Sequence, residues 1–299
     1  MKFDLIATNP PFQDTEARGK TPHKLWIEFT KKTFESWLEV DGYLAQVSPS
    51  SFRSPNSAVL EILKEKDTLL INFDSGRYFP GVGSTFADYI VRNSPRTKKS
   101  KTKVFDGEAS SEITFDESLL YLPNRLEPEA LSIHRKVMFT TKSKLNVNWD
   151  YVTCHNILLK KSDTLSKVET KEHIYPVLHT NKQIWWSSIK QPFADLRKVM
   201  WSRSGYTKPF YDAGEHGGTD MVYFVPVKNQ REGEKLSQAL NSKLFQYIFT
   251  TGKWSGFGNE RVFRSLPQLD LSGDLSDTSL YQTFGLTKKE ILHVEKVMG

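Results

Sequence analysis

The residues best suited to chemistry are Asn9, Pro10, Pro11 and Phe12, which follow one another directly in the sequence. An asparagine side-chain oxygen and a nearby backbone carbonyl can together accept both hydrogens of an exocyclic amine on a planar ring. With both hydrogens held, the nitrogen lone pair is drawn out of the ring and the nitrogen becomes nucleophilic. Proline fixes the pose of the carbonyl, and the Phe12 ring offers a face on which a base can stack.

The segment before Asn9 predicts where these four residues lie. Residues 3–8 form an apolar run typical of a short buried strand, which the two prolines end. Asn9 would then stand at the carboxyl end of a strand, where open α/β sheets bind their ligands. The alternative is a strand that ends in a Pro-Pro turn, with Asn9 only capping the turn.

The order of the apolar segments predicts an α/β fold with parallel βαβ units in the first part of the chain. Helices are expected over residues 25–38 and 55–66, and further strands over residues 42–47, 69–73 and 85–91. The element order changes after residue 125, which divides the chain into domains 1–125 and 126–299. Near the end, Thr287 and Glu290 have the spacing of a capping box that starts a helix.

The segment from Asp4 to Phe12 resembles the catalytic motif of the amino-methyltransferases, which transfer a methyl group from S-adenosylmethionine (SAM) to an exocyclic amine. The resemblance implies an adenine-specific DNA methyltransferase of the restriction–modification type, with SAM as cofactor and double-stranded DNA as partner. It implies that Asn9 and the carbonyl of Pro10 accept the hydrogens of the 6-amino group, while Phe12 stacks on a base flipped out of the duplex. Phe79 matches the family's second aromatic residue and would help to hold the base in a slot beside Phe12. Ordinary core packing is the alternative for Phe79.

The resemblance also implies an architecture. Domain 1–125 would be part of a Rossmann-like, SAM-dependent methyltransferase sheet. Domain 126–299 would be an α+β target-recognition domain that binds DNA, with a connecting helix at its start and a helix at its end.

This second half carries many aromatic residues beside basic ones: Trp185, Trp186, Trp201, Tyr206, Phe210 and Tyr211. The candidate DNA contacts are the basic residues of this half, namely Lys182, Arg203, Lys208, Lys253 and Arg261. The alternative is that most of these tryptophans are core residues and most of the lysines are simply solvated.

Composition is compatible with this class of protein. The formal charge is +6 and the pI is about 9.1, which suits a nucleic-acid partner. The single cysteine, Cys154, excludes an internal disulfide and favours a reducing, cytoplasmic location. There is neither an apolar run of membrane-spanning length nor a signal peptide. The histidine, cysteine and carboxylate spacings predict no metal site.

The sequence does not identify the residues that would bind SAM. A SAM site needs a glycine-rich turn after a buried strand and before a helix. Gly81-Val82-Gly83 precedes a predicted strand, and Gly256-Phe257-Gly258 follows no buried strand. One explanation is a truncated or split chain whose SAM-binding strands lie on another polypeptide, which would leave an unpaired apolar sheet edge. The other is a compact variant with an unfamiliar SAM site.

Two other functions stay open at this stage. The chain could be a non-catalytic DNA-recognition subunit or a remnant that binds DNA without a cofactor. It could also be an RNA or protein-glutamine amino-methyltransferase, because those enzymes share the asparagine–proline–proline–aromatic motif.

Overall fold

The computed structural model describes residues 2–12, 24–81, 85–140, 143–156, 163–181, 183–203, 208–253 and 260–299. The chain divides into two units, Met1–Arg135 (unit 1) and Lys136–Gly299 (unit 2). Within the described residues, no helix has both the length and the apolar character needed to cross a membrane.

Unit 1 is built on a six-stranded mixed sheet. Its strands are β1 (Phe3–Thr8), β2 (Leu38–Pro49), β3 (Lys66–Asn72), β4 (Phe86–Pro95), β5 (Thr102–Asp106) and β6 (Ala109–Ile113). Its helices are α1 (Leu25–Lys32), α2 (Ala58–Glu65) and most of α3 (Pro128–Val137). The strand order is β1-β2-β4-β3-β5-β6, with β1 parallel to β2 and β4 antiparallel to both β2 and β3. The sheet confirms the predicted α/β class.

Helices α1 and α2 bury one face each. Helix α2 buries Val59, Leu60 and Leu63, which have the spacing of an amphipathic helix. Helix α1 buries Trp26 and Thr30. Thr30 Oγ1 donates to the Trp26 carbonyl and accepts from Gln46 Nε2, both at 2.8 Å, so a buried polar contact fastens α1 to β2.

Strand β1 is less buried than the sequence predicts. The predicted strand over residues 3–8 is confirmed, but the prediction that it is buried is wrong, because Phe3 and Leu5 are 45% and 62% exposed. The reason is that β1 lies at the edge of the sheet and, among the described strands, pairs with β2 alone. Strands β1 and β2 approach closely at Gly42. A β-carbon added there would lie only 3.0 Å from the Asp4 carbonyl oxygen. Within the part of the chain that the structure describes, one edge of β1 therefore has no strand partner and lies beside exposed apolar side chains.

Unit 2 contains two small sheets and five helices among its described residues. The four-stranded sheet has the order β12 (Gly217–Gly218), β8 (Tyr175–Thr180), β9 (Gln183–Ser187) and β7 (Leu165–Ser166). The three-stranded sheet has the order β11 (Phe210–Asp212), β10 (Lys198–Ser202) and β13 (Val222–Pro226). The helices are α4 (Gln230–Leu240), α5 (Lys243–Thr251), α6 (Glu260–Phe263), α7 (Asp277–Thr283) and α8 (Lys288–Met298). The capping box predicted at the start of α8 is confirmed, with Thr287 and Glu290 in reciprocal hydrogen bonds.

Replacement of Gly214 by alanine is expected to destabilise unit 2 by more than about 1 kcal/mol. Gly214 has a φ of +103°, and an added β-carbon would lie 2.5 Å from the Asp195 carbonyl oxygen. The midpoint of urea unfolding measures the effect. Gly273→Ala is the control, since a β-carbon there has no atom within 4 Å. Equal midpoints for the two variants would contradict the expectation.

Candidate active site and DNA-contact residues

The predicted catalytic residues lie at the carboxyl edge of the sheet in unit 1. Asn9 directly follows the last residue of β1 and its side chain is exposed, whereas Pro10 is buried. Strand β2 runs parallel to β1 and ends at Pro49, which pairs with Phe86 at the start of β4. Because β4 runs the other way, its first residue stands at the same edge as Asn9.

An aromatic row occupies this edge. The Phe12 and Phe86 ring centroids are 5.2 Å apart, and those of Phe79 and Phe86 are 4.4 Å apart. Phe12 and Phe79 are half-buried, whereas Phe86 is only 3% exposed. The two predicted stacking residues therefore share a third ring, which the sequence analysis did not single out. The base-stacking roles of Phe12 and Phe79 stay predictions.

A polar network fixes the turn that presents Phe79. Asn72, the last residue of β3, donates through Nδ2 to Asp88 Oδ1 at 2.9 Å, and its own Oδ1 accepts from the backbone N–H of Asp74 at 3.1 Å. Ser75 Oγ donates to the same Asp88 oxygen. Asp88 thereby joins β4 to the short turn that ends at Phe79.

Tyr89 lies in a buried polar layer behind this edge. Burial raises the pKa of Tyr89 to about 12, although its hydrogen bond with Thr30 acts in the opposite direction. The hydroxyl therefore stays protonated at neutral pH. Its role is to connect β4 to β2 and α1, and it is not suited to exchange protons with a substrate.

Two of the predicted DNA contacts lie at one edge of unit 2. Arg203 directly follows β10, and Lys208 is exposed shortly before β11. Asn181, in the turn after β8, accepts from the backbone N–H of Ser202 at 3.0 Å and donates to the Lys208 carbonyl at 2.6 Å. One asparagine thus holds together the two sides of the segment that joins β10 to β11.

The other predicted DNA contacts are not brought to this edge by any described contact. Lys253 is half-buried after α5. Lys182 and Tyr206 lie outside the described residues, as does the side chain of Arg261. Among the aromatic residues, Trp185 and Trp201 are buried, whereas Trp186, Phe210 and Tyr211 are half-buried. Trp185 packs with Cys154, Leu165 and Val177 in a core cluster.

A cluster of possible metal ligands was missed by the sequence analysis. The ligand atoms of Asp212, Glu215 and His216 lie within 4.8 Å of one another. Both carboxylate oxygens of Asp212 are already engaged, one by Lys198 Nζ at 2.7 Å and the other by His216 Nδ1 at 2.6 Å. The cluster is therefore explained as a buried ion pair with its hydrogen-bond partners.

The fold can be compared with known proteins. No protein-family model and no curated protein matches the sequence. Among solved structures, the Type IIL restriction–modification enzyme MmeI in complex with DNA matches 98% of this chain with a TM-score of 0.53 and 9% identity. A nuclease-deletion mutant of the Type ISP enzyme LlaGI, in complex with a DNA substrate mimic, matches 89% with a TM-score of 0.51 and 9% identity. This chain shares the fold of the matched parts of these two enzymes. It spans 56% of the MmeI chain and 39% of the LlaGI chain, and at this identity the likeness shows the fold alone.

The described residues do not identify a SAM site. At the carboxyl edge of the unit 1 sheet, the described connections after β1, β2 and β3 contain no glycine-rich turn that leads from a strand into a helix. Gly83 and the segment Gly256-Phe257-Gly258 lie outside the described residues. No residue of the described chain is therefore assigned to the cofactor.

Proposed function

We propose that this chain is the base-binding and DNA-recognition part of a restriction–modification methyltransferase that acts on the 6-amino group of adenine in double-stranded DNA, with SAM as methyl donor. The observation that carries the proposal is the position of Asn9, exposed at the carboxyl end of β1 next to the Phe12–Phe86–Phe79 row. In this proposal residues 1–125 belong to the catalytic domain and residues 126–299 recognise DNA. Such an enzyme would act in the cytoplasm.

The catalytic contribution of this chain is to hold the amine. Asn9 Oδ1 and the Pro10 carbonyl each accept one hydrogen of the 6-amino group, which turns the nitrogen lone pair away from the ring. Pro11 stiffens the backbone next to the accepting carbonyl. Phe12, backed by Phe86, supports the flipped base. No covalent nucleophile on the enzyme is required, because the positioning and polarisation of the amine accelerate methyl transfer.

The free edge of β1 supports the proposal that SAM is held by additional strands. Among the described strands, β1 pairs only with β2, and Phe3 and Leu5 on β1 and Tyr43 on the neighbouring β2 are exposed apolar residues. A further parallel strand at this edge would pair with the backbone of β1, and the helix of its crossover connection would cover the exposed side chains on one face of the sheet. We infer that the SAM-binding strands pair there, supplied by a second polypeptide or by another part of a longer one.

A methylation assay tests the function. The chain is combined with its SAM-binding strands and tritiated SAM, and separate reactions contain duplex DNA, rRNA or a release factor. The DNA product is digested and analysed for N6-methyladenine. Label in adenine supports the proposal, whereas label in rRNA or in a release-factor glutamine would overturn it. The lack of a SAM site among the described residues favours one second candidate, a DNA-recognition subunit without catalysis. Intact DNA binding with no SAM binding by the combined protein would establish that alternative.

Phe12→Ala is expected to weaken binding of the flipped base by about 1–3 kcal/mol, because it removes a stacking face. A duplex with 2-aminopurine at the target position measures this effect, since its fluorescence rises when the base leaves the stack. Val40→Ala is the control, because Val40 is an exposed apolar residue of unit 1 at the other end of β2. Unchanged base binding by Phe12→Ala would contradict the stacking role.

A further inference from the structure

Unit 2 contains a row of aromatic rings that runs from its core to its surface. Trp201 and Tyr223 are fully buried, with ring centroids 6.4 Å apart. Tyr223 stacks on Trp149 at 5.4 Å, and Trp149 contacts Tyr151 at 5.0 Å. Tyr151 is 55% exposed, so a large aromatic ring stands at the surface on a rigid base.

Arginine and backbone contacts complete this surface. The Arg203 guanidinium carbon lies 5.2 Å from the centre of the Trp149 ring, a cation–π distance. Trp149 Nε1 donates to the Asp220 carbonyl at 2.8 Å, and the preceding residue, Asn148, forms a reciprocal backbone pair with Phe224 of β13. The ring and the cation are therefore held in place before any partner arrives. We call Trp149, Tyr151 and Arg203 the Trp149 surface.

We propose that the Trp149 surface is a DNA-contact site, in which Tyr151 packs on an exposed base or deoxyribose and Arg203 pairs with a phosphate. This inference rests on the proposed function, because it takes DNA as the partner of unit 2. Neither Trp149 nor Tyr151 was among the residues that the sequence singled out. The site would supply affinity and position the duplex, leaving base identity to other contacts.

The charges around the Trp149 surface suit an anionic partner. Lys208 is exposed, and Asn181 links its backbone to the residue before Arg203. Asp150 lies between the two aromatic residues in sequence, but its carboxylate is engaged by hydrogen bonds within unit 2. It accepts from the backbone N–H groups of Val152 and Thr153 and from Gln191 Nε2, at 2.9 to 3.1 Å. A flat ring beside a planar cation suits nucleic acid, since bases need stacking partners and phosphates need donors.

Fluorescence anisotropy with a labelled duplex tests the proposal on the full chain, without SAM or methyl transfer. Tyr151→Ala is expected to weaken DNA binding roughly 5- to 150-fold, whereas Tyr151→Phe keeps the ring and should bind as wild type. Arg203→Gln is expected to reduce the slope of log affinity against log salt by about one, because one phosphate contact is lost. A residue that only stabilises the fold would not change this slope.

Leu292→Ala is the matched control, because Leu292 is an exposed apolar residue of unit 2 that lies on α8. Wild-type affinity for Tyr151→Ala together with a wild-type salt slope for Arg203→Gln would overturn the inference. Tighter binding of an RNA of the same sequence would overturn it as well. These results leave the proposed function standing if methyl transfer still depends on Asn9. If the wild-type chain does not bind DNA, both the inference and the proposed function are refuted.

Discussion

Replacement of Asn9 by alanine is expected to lower methyl transfer to DNA by at least roughly 100-fold, by analogy with loss of one catalytic hydrogen-bond partner. Asn9 is exposed at the end of β1, so alanine removes an acceptor oxygen without opening a cavity. The Pro10 carbonyl alone cannot hold both amine hydrogens, and the nitrogen lone pair would return to the ring. Tritiated SAM and duplex DNA measure the rate, in the protein combined with its SAM-binding strands.

Asn9→Asp separates this role from a structural one. A carboxylate keeps an acceptor oxygen at the same place, so this variant should retain more transfer than Asn9→Ala. Both variants should melt at the temperature of the wild type. Full activity of Asn9→Ala would refute the role given to Asn9. A lower melting temperature with unchanged binding of adenine would instead establish Asn9 as the cap of a turn.

Local sequence patterns were sufficient to predict most elements of unit 1. The strand that ends at Thr8, the α2 helix and, in unit 2, the capping box of α8 all depend on residues close together in sequence. The burial of β1 could not be predicted in the same way. Its apolar residues fit a central strand, but their exposure depends on which elements cover the edge and the faces of the sheet. The apolar content of a strand indicates which side chains it can bury, but not whether another strand or helix covers them.

The candidate sites show the same limit. Asn9, Pro10, Pro11 and Phe12 are contiguous, so the sequence alone can predict that they act together. Phe86 is 74 residues from Phe12 in sequence and reaches it because β4 returns antiparallel to β2. The Trp149 surface likewise depends on tertiary contacts, since β13 and the residue after β10 bring Tyr223 and Arg203 to Trp149. The alternation Trp149-Asp150-Tyr151 alone does not predict a DNA-contact site. Only the tertiary contacts bring the two aromatic residues and Arg203 together.

Removal of one partner of the Lys198–Asp212 pair is expected to destabilise unit 2 by about 3–5 kcal/mol. Both side chains are fully buried, and Lys198 Nζ donates to Asp212 Oδ2 at 2.7 Å and to the carbonyls of Ala194 and Leu196 at 2.9 and 3.0 Å. Lys198→Met would leave a buried carboxylate without its cation. Urea unfolding measures the loss, and the double variant Lys198→Met/Asp212→Leu is the control. Because it leaves no unpaired charge, it should be more stable than Lys198→Met alone.

The pH dependence of stability provides a second measurement on the same pair. Burial alone would raise the pKa of Asp212, but hydrogen bonds from His216 and Lys198 outweigh it and lower the pKa to about 2. An aspartate in the unfolded chain has a pKa of about 3.9. The wild-type chain therefore has this stabilisation in full above about pH 4 and loses it as the pH falls towards 2, whereas the double variant has none to lose. Parallel losses of stability in the two proteins over that range would contradict the assignment. Since Lys198 begins β10 and Arg203 directly follows its end, the pair also fixes the strand from which the Trp149 surface takes its cation.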